Sequence, residues 1–239
     1  MVILNNVKRF VHFLETDNNE EVKITKILRP LSKDLRVLDV GCGLGKKYQL
    51  LESIGFSRIM GVEKNSALLK ANVEQGRNVV DSEEFFTDYR DSEFDLIIMS
   101  HLIEHFQWDE LNAFMERYLD FLCDGGCILI ISPVYHAYFY GDFDHVKPYL
   151  PSAIQGFYGA QEQVQVYPKH RLTLVDLSFR RAPFALVFFR SLHIQGTNKL
   201  PRLVNFFLAL LFRLSFRAIG KTTGWIGLFK KLEVGSRSA

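Results

Sequence analysis

The sequence predicts an α/β fold: a Rossmann-like, mostly parallel sheet of seven strands, with helices on both faces and a helical insertion before the last strand. Three observations predict it. Short apolar runs alternate with helical stretches between residues 35 and 132, the order that builds a parallel sheet covered on both sides. Three glycines, Gly41, Gly43 and Gly45, directly follow the first apolar run. A composition that is 48% hydrophobic over 239 residues suits one domain with a sizeable core, or one domain with a small appendage.

Residues Val2 to Leu31 read as helical, interrupted around Asp17 to Asn19 and ended by Pro30. Leu35 to Val40 is a buried parallel strand flowing into the glycines. Lys46 to Ile54 is a helix that Gly55 can cap. Arg58 to Val62 is the second strand, Ser66 to Gln75 a helix and Asn78 to Val80 a short third strand. Phe94 to Ser100 is the fourth strand. Asp109 to Leu122 is a helix whose apolar face carries Leu111, Phe114, Tyr118 and Phe121. Gly125 and Gly126 turn the chain into a fifth strand, Cys127 to Ser132. Val164 to Tyr167 and Trp225 to Phe229 are the two further strands that would close the sheet. This divides the chain into a core over 1–171, an apolar and basic helical insertion over 172–222, and a closing strand with its tail over 223–239.

Charge divides unevenly along that plan. Residues 1–169 hold 17 Lys and Arg against 25 Asp and Glu, whereas residues 170–239 hold 12 against 2. An acidic body with a basic tail points to an anionic partner for the tail. Cys42, Cys123 and Cys127 form no Cys-x-x-Cys pair and are odd in number, so a disulfide framework is not expected and a reducing compartment is. No secretory leader is expected, and no uncharged apolar run reaches the roughly 18 residues that span a bilayer.

The stretch from Val37 to Gly45 carries the most chemistry. Glycine admits positive φ and lets a ligand approach bare backbone, and amides at the following helix start can serve a ligand carboxylate. Lys46 stands where a dinucleotide fingerprint needs its last glycine. Asp39, just ahead of the loop, would repel a pyrophosphate but welcome a cationic ligand. Glu63 ends the second strand about twenty residues beyond the loop, where a carboxylate can accept both hydroxyls of a ribose. Two other readings fit parts of this pattern: a nicotinamide-dependent oxidoreductase, and a binding module without catalysis.

Over residues 33–150 the sequence resembles the class I S-adenosylmethionine-dependent methyltransferases, in the broad branch called methyltransferase type 11, 12 or 23. Val37 to Gly45, Glu63, Phe94 to His105, and Gly125-Gly126 with the strand after them match that family's motifs in order. The resemblance implies S-adenosylmethionine as cofactor. It would be held by Asp39, Gly41, Cys42, Gly43, Gly45, Glu63 and its neighbour Lys64, Asp81 near the adenine, and Ser100 at the fourth strand's end.

His101, Glu104 and His105 fall at positions i, i+3 and i+4 after that strand. Relatives in ubiquinone pathways resemble this motif and bind a metal with Glu-x-x-Glu-His. Here His101 takes the first Glu position, and the expectation is no metal, with Glu104 and His105 orienting the loop by hydrogen bonds. A hydroxyl acceptor must lose a proton, and histidine suits that near neutral pH. The candidates, in order, are His145, His101 and His105.

In the insertion, Leu203, Phe206, Phe207, Leu210, Leu211, Leu214 and Phe216 form an apolar face. Asn205, Ala209, Arg213 and Arg217 form a narrow wet edge. Apolar faces rimmed by arginine suit an anionic bilayer, and a lid or a dimer surface is the competing reading. Nucleic acid is not expected. The expected function is methylation of oxygen on a small, sugar-like or lipid-linked acceptor, in the cytoplasm or on the inner face of the cell membrane.

Overall fold

The computed structural model describes residues 20–136, 139–159, 166–186 and 199–233. The elements are α1 (Glu20–Leu28), β1 (Arg36–Val40), α2 (Lys46–Ile54), β2 (Arg58–Val62), α3 (Ser66–Glu74), β3 (Val79–Val80), α4 (Ser82–Asp88) and β4 (Phe94–Ser100). After them come α5 (Trp108–Leu119), β5 (Leu122–Pro133), α6 (Pro151–Tyr158), β6 (Leu172–Ala182), α7 (Lys199–Leu214) and β7 (Lys221–Lys231). The seven strands form one sheet in the order β3-β2-β1-β4-β5-β7-β6. The pairs β1–β2, β1–β4, β2–β3 and β4–β5 are parallel, and an antiparallel pair lies at the edge.

Strand alternation sorts the side chains into two cores. Leu38 of β1, Ile97 and Met99 of β4, and Ile128 and Ile130 of β5 face Leu111, Met115 and Tyr118 of α5. Their neighbours Val37, Leu96, Ile98, Leu129 and Ile131 face Ile24, Ile27 and Leu28 of α1 and Tyr48 and Leu51 of α2. Each fully buried aliphatic side chain stabilises the fold by about 1.5–3 kcal/mol, so a one-residue slip in any central strand would forfeit several such terms at once.

Helix ends follow local chemistry. α2 begins after Gly45 at φ 74° and ends at Gly55 at φ 109°, whose N–H returns to the carbonyls of Leu51 and Glu52. The Asn65 side chain caps α3 by accepting from the amides of Ala67 and Leu68. The chain steps outward from β1 to β2 to β3, then jumps back to β4 beside β1. The carboxyl ends of β1 and β4 therefore diverge into a crevice, where ligands of such sheets bind.

Three expectations need correction. β5 starts at Leu122, not Cys127: Gly125, at φ 77°, carries the strand through an irregularity in its pairing with β4 instead of preceding it. Val166 and Tyr167 are not in a strand, and Val164 lies outside the described residues; the strand before the last is Leu172–Ala182. The segment 172–222 therefore opens extended, and its described helix is Lys199–Leu214. Of the first predicted helix, residues 2–19 lie outside the described residues and Glu20–Leu28 is helical.

The chain divides into two compact units, Glu21–Ser178 with Trp225–Ala239, and Met1–Glu20 with Phe179–Gly224. In the smaller unit, buried Arg180 pairs with Glu20, and the Arg181 guanidinium donates to the carbonyls of Ala218 and Gly220, each at 2.9 Å. One side of the helix α7 differs from expectation. Ala209 is buried beside Phe212, and Asn205 is pinned to the backbone of Leu186, donating at 3.1 Å and accepting at 2.6 Å. The expected wet edge is thus the inward side. Leu200, Leu203, Phe207, Leu211 and Leu214, spaced three and four apart, are exposed. A small residue such as Ala209 permits close approach of a helix to its support, which the hydrophobicity pattern alone does not encode. Among the described residues no helix is long and apolar enough to cross a membrane.

Candidate active site

The loop between β1 and α2 turns on three left-handed glycines, Gly41 (φ 67°), Gly43 (φ 56°) and Gly45 (φ 74°). Its amides are largely committed within the protein. Gly41 and Cys42 both donate to the Val62 carbonyl, at 2.8 and 3.1 Å, and Gly45 donates to Cys42. Gly43 donates to Glu63 Oε2 at 2.8 Å, while Glu63 Oε1 accepts from the Asn65 amide at 2.8 Å. These four amides thus shape the loop. Each Glu63 oxygen keeps a second lone pair, so the carboxylate can still accept from hydroxyl groups.

Asp39 lies under the loop with 1% of its surface exposed. Burial pushes its pKa up to about 7, with Glu63 adding to the rise and Lys47 and the Tyr48 amide opposing it. Its Oδ2 has no hydrogen-bond partner among the described residues. A pocket of about 270 Å³ opens here, lined by Asp39, Gly41 to Leu44, Lys46, Lys47 and Ser100. A side chain at Gly43 would meet nothing within 4 Å, so the loop's outer surface faces open space. Of the remaining expected residues, Lys64 is exposed beyond β2, and Asp81 caps α4 by accepting from the Glu83 amide at 2.7 Å. Cys42 is buried, with its sulfur beneath Gly61.

Two residues that the sequence reading did not single out hold the loop from below. Buried Asn72 donates to the Gly43 carbonyl at 2.7 Å and accepts from Arg77 at 2.6 Å, and Arg77 also donates to the Leu44 carbonyl. A side chain at Gly45 would lie 2.3 Å from the Arg77 guanidinium.

At the carboxyl end of β4 the chain passes through His101, a non-glycine residue at φ 53°. A tight helical turn over Ile103–His105 follows. Glu104 is completely buried: Ser132 donates to Oε2 at 3.3 Å, and Oε1 lies 3.3 Å from His101 Nδ1. His145 arrives from the segment after β5, its Nδ1 2.8 Å from the Phe139 carbonyl and its ring 5.0 Å from that of His105. His105 Nδ1 lies 3.2 Å from Asp144 Oδ2. Glu104, His105 and His145 bring one ligand atom each within 4.8 Å of one another, close enough to share a cation. The sequence grouped His101 with Glu104 and His105; the structure puts His145 with them.

The chain matches the methyltransferase-domain family over residues 8–181. It belongs to that family. The methyltransferase is 30% identical over 128 residues to the mitochondrial ubiquinone biosynthesis O-methyltransferase of Dictyostelium discoideum, a stretch covering 47% of this chain and 39% of that relative. The match thus spans about two fifths of that protein's length. Its fold is that of an S-adenosylmethionine-dependent methyltransferase from Archaeoglobus fulgidus, with a TM-score of 0.57, 22% identity, and 88% and 94% of the two chains covered. It is also that of the YcgJ protein of Bacillus subtilis, with a TM-score of 0.58, 15% identity, and 90% and 98% covered.

The sequence motifs imply S-adenosylmethionine, the donor on which the Archaeoglobus fulgidus methyltransferase depends. The pocket fits it: a buried carboxylate oxygen without a partner lies beside open backbone, and the cofactor carries a sulfonium and an ammonium that such a carboxylate attracts.

Proposed function

We propose that the protein transfers a methyl group from S-adenosylmethionine to an oxygen of a small, sugar-like or lipid-linked acceptor at a membrane surface. Asp39 neutralises the donor's positive charge, Glu63 accepts from its ribose hydroxyls, and the glycine loop, Ser100, Lys64 and Asp81 complete its seat. The bound donor supplies a methyl group already activated by its sulfonium, so holding the acceptor in line supplies much of the acceleration. The protein's remaining task is to take the hydroxyl proton.

The observation that carries the reading is the pairing of His101 with Glu104 beside Ser100, a wall residue of the donor pocket. A buried carboxylate oxygen 3.3 Å from Nδ1 can orient the ring for proton transfer. That arrangement ranks His101 ahead of His145, whose Nδ1 is engaged by a main-chain carbonyl, and of His105, which pairs with the exposed Asp144. The oxygen acceptor is also consistent with the distant O-methyltransferase relative. A screen with radiolabelled methyl donor, against lysate split into lipid, glycan, protein and RNA, tests the reading. Label is expected in the lipid or glycan fraction. Label confined to protein or RNA, or none in any fraction, would refute it.

The membrane surface is read from the exposed ridge of α7, Leu200 to Leu214, within a C-terminal region rich in Lys and Arg. Co-sedimentation with phosphatidylglycerol vesicles is expected, and its loss when Leu203, Phe207 and Leu211 become Ser. A concentration-dependent dimer that the same changes dissolve, without vesicle binding, would assign the ridge to a second copy instead.

A further inference from the structure

A second pocket, of about 170 Å³, lies where α5, α6 and the segment before α6 meet, within the larger unit. Its walls are apolar: Trp108, Leu111, Tyr149, Ala153, Ile154 and Phe157. Several polar atoms around it are already engaged. Tyr158 donates to Asn112 at 3.1 Å, the Tyr149 hydroxyl donates to the Phe106 carbonyl at 3.0 Å, and the Tyr149 carbonyl accepts from Trp225 at 2.8 Å. Such a lining offers water few partners, and an apolar cavity of roughly 150 Å³ takes up a six-carbon hydrocarbon.

Lys147 is the one charged residue among the described residues of the lining. Exposed Lys147 sits over the Tyr149 ring, 5.2 Å from its centre. Burial, with Asp109 and Glu110 adding to it, pushes the Tyr149 pKa up to about 12. The pocket also adjoins the catalytic end of the fold. The amides of Val146 and Lys147 both donate to the Glu104 carbonyl, at 2.8 and 3.2 Å. Trp108 opens the helix that follows the turn bearing Glu104 and His105.

We propose that this pocket receives a hydrocarbon segment of about six carbons belonging to the acceptor, with an anionic group of the acceptor lying against Lys147. The inference rests on the methyltransferase reading above and narrows its acceptor to an amphiphile with an acidic head near the tail's start.

Saturation-transfer NMR on the full chain with hexanoate, and separately with hexylamine, tests it. Hexanoate is expected to bind in the millimolar range and hexylamine at least several-fold more weakly. Ala153 is exposed at the rim, so Ala153→Trp should fold and fill the opening, lowering hexanoate affinity tenfold or more. Lys147→Glu should remove the preference for the anion while leaving the pocket. Calorimetry with S-adenosylmethionine on each variant reports folding of the donor site. Hexanoate uptake unchanged in folded Ala153→Trp, equal uptake of both probes by the wild type, or no uptake of either overturns the proposal. Failure of donor binding with normal hexanoate uptake would instead count against the methyltransferase reading alone.

Discussion

Asp39 illustrates how a single residue can trade stability for binding. Its carboxyl is neutral up to about pH 7 in the folded chain and ionises near 3.8 when exposed. Between those values the folded state holds a proton that the unfolded state lacks, so Asp39's own contribution to stability is greatest below about pH 4 and falls as pH rises to 7, by about 1.4 kcal/mol per unit at most. Asp39→Asn keeps an acceptor for the Tyr48 amide and removes the buried charge. The expected result is a higher melting temperature at pH 8 together with at least tenfold weaker donor binding. Because a cationic donor needs the ionised form, its affinity in the wild type should rise from pH 6 to pH 8. The Asn variant should show a flat profile by calorimetry.

His101 presents the same trade in the backbone. A non-glycine residue at φ 53° carries about 1–3 kcal/mol of strain. His101→Gly should therefore match or exceed the wild type in urea titration while methyl transfer falls by about 10²–10⁴-fold. Transfer that persists within a few-fold of the wild type would remove His101 from the reaction. That Asp39 and Glu63 lie beside the glycine loop was readable from the order of strand, turn and helix. Asn72 and Arg77 were not readable. They are ordinary polar residues of a surface helix and its end, and only the folded chain brings them under Gly43 and Leu44.

At the scale of elements, the donor loop is a turn with a scaffold beneath it. Gly45→Ala would set a methyl group against Arg77 and Asn72 and force a left-handed alanine. We expect a loss of about 1–3 kcal/mol of stability, read by thermal melting, and weaker donor binding. The central elements were legible almost to the residue: α2, β2 and β4 end where the glycines and the apolar runs end. β6 was legible but overlooked. Leu172, Leu174, Leu177 and Phe179 carry part of a strand's alternation, but the arginines and aromatics that follow drew the reading toward a helix. The orientation of α7 was not legible. An amphipathic helix has two candidate inner faces when its apolar arc is wide, and Ala209 settles the choice by size instead of polarity.

For the molecule as a whole, charge and apolar exposure coincide in the C-terminal region. Arg213 and Arg217 are partly buried, so exchanging them disturbs packing as well as charge. The ridge residues give a cleaner test. Vesicle binding by the wild type should weaken as salt rises from 0.1 to 0.5 M, since the Debye length shortens from about 10 Å to less than half that. A residue of binding set by the ridge should survive. Binding indifferent to both salt and lipid charge would leave the apolar ridge as the whole attachment.

The grip of Glu63 on the Gly43 amide has a kinetic corollary. The turn is already wound before any nucleoside arrives, so docking demands little reordering, and association should approach the pace set by diffusion and collision geometry. The Gly43 proton then becomes a spectroscopic witness. Its resonance should move when sugar hydroxyls come to share its carboxylate, yet its exchange with solvent should stay slow in both states.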